Sequence, residues 1–169
     1  MNALSADNVA FTVTRTFDAP RALVWKAWTE IEHLVQWWGP KGFKMNKAKL
    51  DLRSGGLFHY GLEMPDGAIM WGKFVFREVL PPERLVFVVS FSDEQGGTTR
   101  HFMSADWPLE VLNTVTFTES NGKTTMALRA DPINANDTER QTFLDGHKSM
   151  QGGFKGTFDQ LEEYLASAL

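Results

Sequence analysis

Between Phe43 and Ala130 the chain alternates apolar and polar residues in short runs, and turn residues close each run: Ser54-Gly55-Gly56, Pro65-Asp66-Gly67, Pro81-Pro82, Gly96-Gly97 and Asn121-Gly122. A strand with one buried face needs that period of two, and Gly, Pro, Asn and Asp supply the backbone angles of tight turns. Strands joined by short turns lie antiparallel. The spacing predicts six strands: Lys44 to Leu52, Leu57 to Met64, Ala68 to Leu80, Leu85 to Ser92, Val111 to Glu119 and Lys123 to Ala130. Ser92 to Leu109 is too long for a hairpin turn and contains Gly96, Gly97 and Pro108, so it reads as a functional loop and a candidate lid.

Helical periodicity flanks this meander. Val9 to Asp18 alternates as a half-buried strand, with Phe11, Val13 and Phe17 at one parity. Asp18 and Pro20 then offer an N-cap side chain and a first-turn proline for a helix carrying Leu23, Val24, Ala27 and Trp28. A second short helix, from Ile31 to Trp38, stops at Gly39-Pro40. From Thr138 to the end, Met150, Phe154, Phe158, Leu161 and Leu165 recur at 4, 4, 3 and 4 residues and predict one long amphipathic helix. Gly146, Gly152, Gly153 and Gly156 weaken its first half by about 1 kcal/mol each, so that half is expected to lie against the sheet or over a cavity, with a break or kink as the alternative. The whole is one domain, residues 9–169, behind an N-terminal extension of residues 1–8.

Composition narrows the function. Lys+Arg 17 against Asp+Glu 21 gives a net charge of −4, which offers no footprint for a nucleic-acid backbone. The absence of Cys removes disulfides, thiolate nucleophiles and Cys-ligated metals, and it fits a reducing cytoplasm. No run approaches the ~18 apolar residues of a membrane span, and the first residues do not read as a secretion signal. Phe 13 and Trp 6 against Tyr 2 favour an apolar interior or an apolar ligand.

The segments Arg15-Thr16-Phe17-Asp18-Ala19-Pro20, Val24-Trp25-Lys26-Ala27-Trp28-Thr29 and Trp37-Trp38-Gly39-Pro40, with Trp71-Gly72, Pro81-Pro82-Glu83-Arg84-Leu85 and Asp106-Trp107-Pro108, resemble the SRPBCC (START-like) superfamily, in its branch of heat-shock protein ATPase activator homologues. The resemblance runs from about Val9 to Leu165. It implies an α+β helix-grip fold, in which a curved antiparallel sheet wraps a long C-terminal helix and encloses an apolar cavity. Where the branch commonly has Gly-Trp in the last helix, this chain has Gly153-Phe154.

The candidate ligand-binding residues are mostly aromatic. Trp37 and Trp38 cannot both face inward from one helix, and Trp38 is assigned to the cavity. Phe58 and Tyr60 share a strand face, as do Phe74 and Phe76, and Trp71 has the opposite parity. Phe87, Phe102, Trp107 and Phe154 complete the aromatic set, with core packing the alternative for every such ring. His147 joins them on the apolar helix face, against the simpler reading of a histidine hydrogen-bonded at the helix start; His59 is expected to face solvent. Phe102 and Trp107 are expected to close the loop over the cavity against the glycine-rich helix half, where Gly153→Leu would overfill the contact; a homodimer interface is the alternative.

No two histidines have metal-ligand spacing and no Gly-x-Ser-x-Gly elbow occurs, so no metal, cofactor or catalytic triad is expected. The leading expectation is a cytoplasmic module that binds a hydrophobic small molecule. An enzyme that works by enclosing its substrate and a chaperone-interacting protein are the alternatives.

Overall fold

The computed structural model describes residues 9–168. After β1 (Phe11–Phe17) come two short helices, α1 (Arg21–Thr29) and α2 (Ile31–Trp37). Pro20 itself occupies the N-cap position of α1, and its side chain can accept nothing. The expected Asp18 cap does not form; the Glu119 carboxylate accepts from the Arg21 N–H instead, at 2.6 Å. A long-range acceptor thus replaces the local one.

The meander follows as β2 (Lys44–Leu50), β3 (Leu57–Glu63), β4 (Ile69–Leu80), β5 (Arg84–Ser92), β6 (Thr98–Thr99), β7 (Glu110–Ser120) and β8 (Lys123–Ile133). All pairings are antiparallel, in the order β1-β8-β7-β5-β4-β3-β2, with β6 hydrogen-bonded to β5 off that path. The curved sheet does not close, because β1 and β2 end it without pairing. The six expected strands are present, and the two-residue β6 inside the long loop is additional.

The helical C-terminus is in two pieces, α3 (Asp137–Asp145) and α4 (His147–Ala168), where periodicity predicted one. Asn136 and Glu139 form a reciprocal capping box at the start of α3. At the break, glycine is required: a Cβ at Gly146 would stand 2.9 Å from the ring of Trp107. The loop indole takes the place of a side chain there.

The last two-thirds of α4 anchors the core. Phe158, Leu161 and Leu165 are buried against Trp28 and Trp37 of the short helices and against the concave face of the sheet. Trp28 is the hub: its ring lies 4.9 Å from Trp37 and within 6.3 Å of Phe87, Phe117 and Phe158. This aromatic block fills only one end of the groove between sheet and helix. Beyond it, α4 carries Gly152, Gly153 and Gly156, at none of which an added Cβ would meet another atom within 4 Å.

Candidate functional site

Where the aromatic block stops, an apolar cleft opens between the sheet and the first half of α4. Parity sends Val89 and Phe91 of β5 to the concave face, in the same row as the buried Leu85 and Phe87, yet both stay half-buried because no helical side chain covers them. Met70 of β4, Trp38 after α2, Trp107 of the long loop, and Met150 and Phe154 of α4 surround the same space. Three adjoining lobes of about 70, 250 and 220 Å³ all use Phe91 as a wall. Among the described residues, no Asp, Glu, Lys, Arg or His lines them.

Two local arrangements hold the cleft open. Tyr60 of β3 lies across Gly72, its register partner on β4, and a Cβ on Gly72 would come within 2.6 Å of its hydroxyl. Burial pushes the Tyr60 phenol up to about 12, opposed by a hydrogen bond with the Trp38 side chain, so the group stays neutral. At the other end, Arg100 is ion-paired with the buried Glu139 of α3 and donates to the Trp107 carbonyl at 3.3 Å. That clamp sets the Trp107 indole against Gly146 and 5.3 Å from the Phe143 ring.

Residues 18–166 match the family described as Activator of Hsp90 ATPase homolog 1-like protein. The chain belongs to that family. It is a family of the START/SRPBCC type, and its members' helix-grip fold is the one found here. Solved structures similar to this chain include protein Ms6760 from Mycobacterium smegmatis, at 26% identity and a TM-score of 0.77 over 98% of this chain and 95% of that one. A protein from Arthrobacter aurescens gives 22% identity and a TM-score of 0.78 over 96% and 88%. Protein NE0264 from Nitrosomonas europaea gives 23% and 0.73 over 93% and 94%. A search of curated proteins finds no match. No described helix is long and apolar enough to cross a membrane.

In this activator-homologue chain the candidate residues divide into groups. Trp38, Tyr60, Trp107 and Phe154 line the cleft together. Phe58, Phe74 and Phe87 do not: they are at most 1% exposed, with Phe74 stacked on Phe87 at 4.2 Å, and they belong to the packed core. Strand parity gave their face correctly, but depth along the groove depends on where the short helices end. Trp71 touches the rim of one lobe, yet its ring lies on the outer face, stacked 5.0 Å from His59 with the Lys47 ammonium 5.8 Å from its centre. His59 is correspondingly half-buried rather than free in solvent, and it donates to the Asp93 carbonyl at 3.1 Å.

Phe102 is 60% exposed and lies flat on His101, outside the cleft. His147 also points elsewhere. The β1–β8 register, continued two residues, sets Val9 opposite Pro132, which has no N–H to give; His147 Nε2 donates to the Val9 carbonyl instead, at 2.7 Å. The loop reaches the helical layer at Gly146 and not at Gly152 to Gly156; Gly153 lines the 250 Å³ lobe with no atom within 4 Å of an added Cβ, so Gly153→Leu would extend into the cleft and not against the loop. Sequence reasoning missed Val89, Phe91 and Asn113 as lining residues, although all three share a parity with strand residues of the core.

Proposed function

We propose that this protein binds a hydrophobic or aromatic small molecule in the cleft between the sheet and the first half of α4. The supporting observation is the set of concave-facing apolar side chains, Met70, Val89, Phe91, Met150 and Phe154, left half-buried around lobes of 220 and 250 Å³ with no charged lining. Each ~100 Å² of apolar surface that a ligand covers there contributes roughly 2.5 kcal/mol. Binding is favoured over acid–base catalysis because the one titratable group among the described lining residues, Tyr60, has its phenol pushed up to about 12 by burial.

Titration with the uncharged dye N-phenyl-1-naphthylamine tests this reading. Saturable enhancement at one site per chain is expected, with loss of at least tenfold in affinity for Met150→Glu at unchanged circular dichroism. Dye binding that never saturates, or that ignores the new carboxylate, would overturn it.

A further inference from the structure

Asn113 interrupts the apolar floor of the 220 Å³ lobe. The concave-facing residues of β7 run Val111, Asn113, Val115, Phe117, and Asn113 is 3% exposed between its register partners Phe87 and Ala130, both fully buried. Its amide N–H₂ donates to the Val111 carbonyl of its own strand at 3.2 Å. No donor among the described residues reaches its Oδ1. Asn113 lines the 220 Å³ lobe, so its oxygen is open to the cleft, and packing alone would be served better there by Val or Leu.

Building on the ligand-binding reading, we infer that the cleft selects an uncharged aromatic molecule of one or two rings bearing a hydroxyl or N–H donor, and that Asn113 receives that donor. The walls Trp38, Phe91, Trp107 and Phe154 offer ring faces and edges. Lobes of 220 and 250 Å³ exceed the engineered apolar cavity of about 150 Å³ that holds one benzene. An ionised ligand would meet no counter-charge in the lining and would leave its hydration uncompensated.

The test compares 2-naphthol, 2-methoxynaphthalene and 2-naphthoate by quenching of tryptophan emission. The intact protein is expected to bind 2-naphthol roughly fivefold to tenfold more tightly than the methyl ether, the value of one hydrogen bond, and the naphthoate weakest. In Asn113→Leu the preference for naphthol over its ether should vanish while the ether binds no worse. Should that variant not fold, the side-chain amide resonances of Asn113 in the intact protein must shift with naphthol and not with the ether. Equal binding of naphthol and ether, a preference that survives in Asn113→Leu, naphthoate bound as well as naphthol, or an Asn113 amide signal indifferent to naphthol overturns the inference while the cleft keeps its role. If none of the three compounds saturates the protein, the ligand-binding reading falls with it.

Discussion

The Tyr60 ring rests on Gly72 so closely that a methyl group on that glycine would stand 2.6 Å from the hydroxyl oxygen and 2.7 Å from the carbon that bears it. The glycine is therefore part of the cleft wall, since it fixes how far the ring stands from the sheet. Gly72→Ala is expected to cost about 1–3 kcal/mol and to weaken dye binding, because the displaced ring has only the cleft to enter. Denaturant midpoints measured for Gly72→Ala with and without Tyr60→Ala check this. The two changes should be strongly non-additive, and simple additivity would show that the ring is not what the methyl group meets.

Two glycines of the C-terminal helices should respond to alanine with opposite signs. At Gly146 the new Cβ meets the Trp107 ring at 2.9 Å, and Gly146→Ala is expected to destabilise by about 1–2 kcal/mol while releasing the indole. At Gly153 nothing lies within 4 Å, and Gly153→Ala should stabilise by about 0.5–1 kcal/mol through helix propensity. Thermal unfolding of the pair decides the matter, and shifts of the same sign would contradict it.

His147→Ala removes the donor to the Val9 carbonyl and leaves the cleft untouched. The expected loss is about 1–2 kcal/mol of stability, with faster hydrogen exchange near the start of β1 and unchanged dye affinity. A drop in affinity beyond about threefold would assign His147 to the ligand site after all.

Arg100, by its hydrogen bond, and then the Asn136 backbone hold the Glu139 carboxyl below its ordinary value of 4.5. A depressed acid contributes stability that is complete above that ordinary value and is lost as pH falls through the lower folded one. The protein is therefore expected to lose more stability than Glu139→Gln between about pH 5 and 3, the two curves converging at the acid end. Parallel urea titrations across that range measure the difference, and parallel curves would mean that the pair contributes nothing.

Most of the architecture was legible because strands announce themselves twice, by alternation and by turn residues, and both signals are local. The face of each strand followed from parity, which is why Phe58, Phe74 and Phe87 could be placed inward but not at the right depth. Depth is set by Trp28 and Trp37, which fill one end of the groove and which lie 21 residues or more away in sequence from those three phenylalanines. The break at Gly146 was legible only as an alternative: the glycines permit it, but Trp107, which packs on Gly146, sits in an irregular loop whose path no periodicity describes. Asn113 was the exception, since a polar residue between Val111 and Val115 at core parity is visible in the sequence itself.

A sheet that stays open to leave room beneath it also keeps two free edges, and a free edge can recruit a strand from another chain. At one end, β2 presents exposed Lys44, Lys47 and Lys49 and a register shift between Met45 and Lys47, so an incoming strand would meet positive charge and an irregular ladder. At the other end, Arg15 of β1 is tied across to Asp159 and Glu162 of α4, which brings the helix alongside that margin. The openness that the proposed small molecule would use thus comes with two edges that are poor templates for a strand of another chain.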